Sequence, residues 1–332
     1  MQIEWFPYER APLGRTRLRY VDLDAVLTDG KVERSSQAPG FVLLYYGGET
    51  EVIFVIGGEP VTAVRIADRD RSVIPLGAVK KRASAEREWA DVAYFQAPEP
   101  QLRAMYATAC GTPDMQTEVL NAARPAQIFT RARERDYSGV IEFAEKNHKV
   151  HYLVFMDGLP VHAFFADQRR ASDMRANESM ASRLERLFQP ARVEGMLATG
   201  FPPCERMPGQ APLALVDVYR DLIADAIERT SGVTGRDTAL RCFNDAFERL
   251  RERRPAMRSY RLAESGRLEG DSTAPVDELT ECVASFLSDA LTSAERAGAP
   301  APADTLQHIT RDSRLMLQSN GFFERIPAGP VG

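Results

Sequence analysis

The chain has 332 residues, a hydrophobic content of 44%, a charged content of 27% and a formal net charge of −5. That length allows two or three domains around a substantial core, and the composition is ordinary for a globular protein. With no basic surplus to neutralise a phosphate backbone, nucleic acid is not expected as a partner.

The opening Met1-Gln2-Ile3-Glu4-Trp5 shows no basic segment followed by an apolar stretch, so no signal peptide is expected. No run approaches the roughly eighteen apolar residues of a membrane span, so membrane insertion is not expected either. Cys110, Cys204, Cys242 and Cys282 are scattered, with no CxxC spacing, which suits buried or idle thiols in a cytoplasmic protein. The cations are mostly arginine, with lysine only at Lys31, Lys80, Lys81, Lys146 and Lys149, a bias that a GC-rich genome accounts for.

In chain order, Leu23 to Leu27 reads as a short amphipathic helix. Phe41 to Tyr46, Glu51 to Ile56 and Pro60 to Ile66 then read as three strands joined by Gly47-Gly48 and Gly57-Gly58, where positive φ costs little. Pro60 stands at a strand start, where a missing N–H is tolerated. Pro100 to Cys110 reads as a helix. A second round follows, with a helix over Ala126 to Arg133 and strands at Gly139 to Phe143, Val150 to Met156 and Pro160 to Phe165. An Asp157-Gly158 hairpin turn joins the last two strands. Ser179 to Phe188 is again helical. The pattern G-x-P-V-x-A occurs at Gly58 to Ala63 and again at Gly158 to Ala163, which marks an internal duplication.

Beyond Pro212 the period becomes helical. Leu215, Tyr219, Leu222, Ile223 and Ala226 form one stripe, and Leu240, Phe243, Phe247 and Leu250 a second, starting after Gly235 and ending at Pro255. Leu279, Val283, Phe286, Leu287 and Leu291 form a third. A fourth helix runs from Pro302 to Gly321, and a small hairpin is expected around Ser265-Gly266. Pro327 to Gly332 reads as a loose tail. The expected class is α+β: two tandem helix-plus-antiparallel-meander modules, 1–112 and 113–208, followed by an all-α bundle over 209–332.

The duplicated strands carry a family resemblance. Tyr137-Ser138-Gly139-Val140-Ile141-Glu142-Phe143, followed by Tyr152 to Ala163, resembles the PATAN-like group of bacterial domains. The first copy departs from that pattern with Gly57 where the acidic turn residue belongs. The resemblance covers two stretches of about thirty residues and leaves the C-terminal helices unassigned. It implies a signalling or regulatory interaction module, with a protein partner such as a response regulator or a small GTPase, and it supplies no catalytic residues. Self-association is equally allowed.

Val21-Asp22-Leu23-Asp24-Ala25-Val26-Leu27-Thr28-Asp29-Gly30 is similar to the first motif of haloacid-dehalogenase-type phosphatases. In that family the first aspartate attacks phosphorus, the second shuttles a proton and Mg²⁺ offsets the charge. Here Ala25 replaces a glycine of the motif, and Gly270-Asp271 with Asp277 are poorly spaced for the later acids. The other reading has Asp22 capping the short helix, with Leu23, Val26 and Leu27 facing the sheet. His148 and His151 straddle a turn and a strand start, so they are not expected to share a metal. His162 is expected on the solvent or interface side, and His308 lies among polar residues. Phosphate-loop and nucleophile-elbow strings are absent.

The basic runs Lys80-Lys81-Arg82, Arg131 to Arg135 and Arg249 to Arg254 read as solvated faces. Arg169-Arg170 could read a partner's carboxylates or a nucleotide phosphate. No catalytic, cofactor-binding or metal-ligating residue is assigned. The expected role is a non-enzymatic regulatory or scaffolding protein. The alternatives are a sensor of a small anionic ligand or nucleotide held between the modules, and a Mg²⁺-dependent phosphatase using Asp22 and Asp24.

Overall fold

The structure, a computed structural model, describes residues 6–28, 39–67, 70–121, 124–166 and 180–326. Arg169, Arg170 and the tail from Pro327 to Gly332 lie outside the described residues. The first repeat contains β1 (Arg10–Arg17), α1 (Leu23–Thr28), β2 (Gly40–Tyr46), β3 (Glu49–Ile56), β4 (Glu59–Ala67), β5 (Asp70–Ile74), α2 (Leu76–Ala85) and β6 (Asp91–Gln96). After α3 (Glu99–Cys110) the second repeat contains β7 (Met115–Val119), α4 (Arg124–Glu134), β8 (Gly139–Ala144), β9 (Val150–Met156) and β10 (Leu159–Phe164). It closes with α5 (Met180–Leu187), α6 (Pro190–Val193) and β11 (Leu197–Phe201). The fold is α+β, with two antiparallel sheet modules followed by helices.

Both meanders expected from the sequence are present, and the duplication reaches further than the shared motif. The sheet orders are β1-β6-β2-β3-β4-β5 and β10-β9-β8-β11-β7. In each repeat the last strand returns between the N-terminal edge strand and the first strand of the meander. The β-bulges also coincide. Register slips between Phe54 and Val55 opposite Pro60, and between Pro160 and His162. Strands β1, β5, β6, β7 and β11 escape the sequence reading. Strand β1 carries Pro12, Gly14 and little apolar alternation, and β7 is mostly exposed. What makes them strands is the neighbour they pair with.

The resemblance-bearing motif has a structural explanation. Ser138 Oγ accepts the Asp157 N–H at 3.0 Å and the Tyr137 carbonyl accepts the Gly158 N–H at 3.0 Å, so the strand start clasps the hairpin turn. Asp157 and Gly158 both take positive φ, 49° and 75°, as this two-residue turn requires. Gly158 also abuts α4, where an added Cβ would come within 2.7 Å of the Arg133 Cα.

The two sheets share one core. Phe41, Leu43, Val52, Phe54, Val64 and Ile66 of the first sheet cluster with Val140, Val150 and Tyr152 of the second and with Leu102, Met105 and Tyr106 of α3. Helix α3 is buried on nearly all sides, and Ala104, Ala107 and Ala109 let it approach both sheets closely. The opposite face of the second sheet, with Ile141, Phe143, Leu153 and Phe155, packs on Ile128 and Ala132 of α4 and on Leu187 and Val193. An ion pair crosses the shared layer. Arg71 of β5 donates to both carboxylate oxygens of Glu142 on β8, at 3.0 and 3.2 Å, and to the Thr108 carbonyl at the end of α3.

Contacts divide the chain into two units, Met1–Ile74 with Val79–Met207, and Pro75–Ala78 with Pro208–Gly332, so both sheets belong to the first. The second unit holds α7 (Leu213–Thr234), α8 (Arg236–Arg253), the hairpin β12 (Tyr260–Leu262) and β13 (Leu268–Gly270), α9 (Val276–Arg296), α10 (Pro302–Ile309) and α11 (Arg314–Ser319). The three predicted stripes meet in its core, where Phe243 and Phe247 set their edges against Phe286, and Tyr219 Oη lies 2.7 Å from Thr280 Oγ1. The fourth predicted helix is a correction. It breaks after Ile309, where the buried Thr310 hydroxyl turns back to the Leu306 carbonyl at 2.7 Å, and it resumes as α11.

Breaking a buried ion pair from one side leaves an uncompensated charge, which costs about 3 kcal/mol or more. Arg71→Ala is therefore expected to destabilise the two-sheet unit by about that amount in urea unfolding. The double variant Arg71→Met/Glu142→Leu is expected to recover most of the loss.

Candidate interaction surfaces

Glu51, Glu142 and His151, drawn into the interior, are each engaged by a charged side chain. Residues 51 and 151, one hundred apart, occupy the same place in β3 and β9: Glu51 pairs across the sheet with Leu44, and His151 with Phe143. Glu51 is fully buried, and its Oε1 accepts from Arg65 at 2.9 Å and from Arg82 of α2 at 3.1 Å. Arg82 also reaches Glu49 at 2.6 Å and lies 4.1 Å over the Tyr46 ring. The Lys80-Lys81-Arg82 run is thus not wholly a solvated face, because its arginine is turned onto the sheet. Burial, then the Glu51 carboxylate, push the Tyr46 hydroxyl up and keep it neutral.

In the second repeat His151 is fully buried, which its sequence context does not reveal. Its Nδ1 accepts the Ala166 N–H at 3.1 Å, which fixes the proton on Nε2, and Nε2–H donates to Glu145 at 2.9 Å. Arg192 of α6 donates to the same carboxylate at 2.9 Å. His148, by contrast, sits in the turn with φ 65°, so the two histidines do not converge. Burial alone would raise the Glu145 carboxyl, but hydrogen bonds from His151 and Arg192 outweigh it and hold the group at about 2. Among the described residues no group of three or more His, Cys, Asp or Glu side chains could hold a metal ion.

Asp22 caps α1. Its Oδ1 accepts the N–H groups of Asp24 at 3.0 Å and of Ala25 at 3.2 Å, and its carbonyl accepts that of Val26. Asp24 pairs with Lys80 at 2.6 Å. The pair borders a cleft of about 230 Å³ between α1 and α2, lined by Leu18, Leu23, Ala83, Ser84 and Arg87 among others. Asp22 follows a 3-10 turn inside an antiparallel frame, not the end of a parallel strand. In the layer between the sheets, the space lined by Phe54, Met105 and Tyr152 measures about 10 Å³, too small for a nucleotide. His308, on α10, lies near Asp225 of α7, whose carboxyl is raised by burial and by Asp221 and Glu228 and lowered by His308.

The large apolar side chains that the first unit leaves exposed stand at the margins of the sheets. Met156, Leu159 and Val161 are exposed at the β9–β10 hairpin, with His162 beside them. Val119 and Leu197, cross-strand partners, are exposed on β7 and β11. At the far corner of the first sheet Tyr20 is 70% and Trp89 82% exposed. Tyr20 and Trp89 have no sequence signature, because nothing in the chain distinguishes an exposed aromatic from a core one. Strand β4 is covered along its edge by β5, whereas β10 pairs only with β9 among the described residues. No helix of the described residues is long and apolar enough to cross a membrane.

No family model, curated protein or solved structure matches this chain.

Glu145 has a depressed folded pKa, so its stabilisation is present above the unfolded carboxyl value and lost as pH falls through the folded one. Unfolding free energy is expected to decline between about pH 4.5 and about pH 2 partly through this residue. Glu145→Gln is expected to be less stable at neutral pH and to show a shallower acid slope in that window. An unchanged slope would remove the role given to this carboxylate.

Proposed function

We propose that this protein is a non-enzymatic regulatory or scaffolding protein that binds another protein through the margins of its duplicated sheets. The observation that carries this reading is the distribution of side chains in the two-sheet unit. Buried charges are engaged inside, while large apolar groups stand exposed at the hairpin tip and sheet corners. Exposed Trp, Tyr and Arg are the residue types that dominate protein interfaces. The resemblance of both repeats to PATAN-like modules supports a signalling setting, with a response regulator or a small GTPase as the kind of partner.

The test uses the full chain as bait in the native host, beside a Leu159→Asp/Val161→Asp variant and a Tyr20→Ser/Trp89→Ser variant. A specific partner captured by the full chain and lost with at least one surface variant is the expected result. A partner captured equally by all three would refute the assignment to these margins.

The phosphatase alternative separates cleanly from capping. Asn caps a helix as well as Asp does, whereas Ala removes the cap at a cost of about 1 kcal/mol. No Mg²⁺-dependent hydrolysis of p-nitrophenyl phosphate is expected, and Asp22→Ala, not Asp22→Asn, is expected to lower stability. Turnover abolished by Asp22→Asn would sink the non-enzymatic reading.

A further inference from the structure

His151 is fully buried and lies beside Phe143 on the face of the second sheet that packs on Ile128, Leu187 and Val193. The charged groups around it are Glu145 in the β8–β9 turn and Arg192 on α6, with Lys149 two residues earlier in the chain. Just past the end of β10, the buried Phe165 sets its ring 6.0 Å from the imidazole, centroid to centroid. Both ring nitrogens are engaged.

The two bonds respond differently to a proton. Nε2–H donates to Glu145 at 2.9 Å, which an imidazolium does as readily as a neutral ring. Nδ1 accepts the Ala166 N–H at 3.1 Å, which only the neutral ring can do. A proton on Nδ1 would set two N–H groups against each other at that distance, so it is accommodated only when Ala166 moves away. Glu145 keeps its charge throughout the imidazole range. Burial favours its neutral form, but the hydrogen bonds from His151 and Arg192 prevail and hold it at about 2. The ring therefore stays anchored at Nε2, while its hold on the chain at Nδ1 depends on pH.

The first repeat shows that the fold does not demand such a bond. Position 51, the counterpart of His151, is a glutamate tied to Arg65 and Arg82. One hundred residues before Ala166, Ile66 is still inside β4, paired with Thr50 of β3 on one side and Arg71 of β5 on the other. Backbone ladders hold it there, and backbone amides do not titrate. In the second repeat the pairing of β10 with β9 ends at Phe164, and the Ala166 N–H is held by a side chain. A closure indifferent to pH has been exchanged for one that rests on the charge state of a histidine.

We infer that His151 is a proton-operated latch on the end of β10: with Nδ1 unprotonated it holds Ala166 beside the seated Phe165, and protonation of Nδ1 releases them. The closed arrangement takes no proton at that nitrogen and the open one does, so acidification favours the open one by linkage. An imidazole freed into water titrates at about 6.5, so the closing equilibrium weakens about tenfold between about pH 7.5 and about pH 5.5. The latch lies at the opposite end of the strand from the exposed Leu159, on which the protein-binding reading draws.

The test is amide-resolved hydrogen exchange on the full chain at about pH 7.5 and about pH 5.5, corrected for the intrinsic pH dependence of exchange. Protection of the Ala166 amide is expected to fall about tenfold at the lower pH, while the amides of β8 and β9 keep theirs. His151→Asn retains an acceptor at the Nδ1 position but takes up no proton, so its Ala166 protection is expected not to change with pH. Protection independent of pH in the unsubstituted chain overturns the inference. The same pH response in His151→Asn also overturns it, and places the response on another histidine such as His148 or His162. A loss shared equally by β8 and β9 overturns it as a general destabilisation. Should His151→Asn fail to fold, isotope-labelled histidine in the unsubstituted chain decides. Nδ1 gaining its proton in step with Ala166 exchange supports the latch, and exchange that rises while Nδ1 stays unprotonated removes it. No partner enters these measurements, so their outcome is separate from that of the protein-binding reading.

Discussion

Each sheet of the duplicated unit has two apolar faces, and everything else in that unit follows from the need to cover all of them. Each repeat supplies helices of its own for one face. The other face is closed only by sharing α3 and the opposing sheet, so neither repeat completes its core alone. This explains why α3, the linker between the repeats, is among the most buried helices of the chain. It also explains why Arg71 and Glu142, on different sheets, can afford to be charged inside: they meet across the shared layer and satisfy each other.

The repeats have diverged where packing leaves freedom and agree where it does not. Positions 51 and 151 are both fully buried and both polar, one a glutamate and the other a histidine. In each case an arginine from a helix after the meander, Arg82 or Arg192, reaches an acid in or before the middle strand. In the first repeat that acid is residue 51 itself. In the second it is Glu145 in the preceding turn, with His151 between it and the backbone. A charged tie from strand to helix has been kept while the residues making it changed. Such ties add little net stability over apolar packing, but a wrong helix register would leave them unpaired.

With its interior so closed, the two-sheet unit exposes its large apolar and aromatic side chains at its margins. The hairpin tip of the second repeat is apolar, whereas the corner of the first is aromatic and arginine-rich. The duplication has thus yielded two chemically different surfaces on one backbone plan. Pro160 and the bulge beside it also blunt the open edge of β10 against indiscriminate strand pairing.

The sequence by itself determined the α+β class, the two meanders, their turns and the three helical stripes of the second unit. These depend on neighbours in the chain: alternation along Val150 to Met156, positive φ at Asp157-Gly158, and the period of Leu215, Tyr219 and Leu222. It also supported Asp22 as a cap, since a cap is a contact within four residues. Only the tertiary structure decided the return of β6 and β11 into their sheets, the sharing of α3, the burial of His151 and the turning of Arg82 onto Glu51. It alone decided, too, that Trp89 and Tyr20 both stand in solvent. Each of these depends on which distant residues fill the space beside a side chain, and a linear pattern carries no record of that.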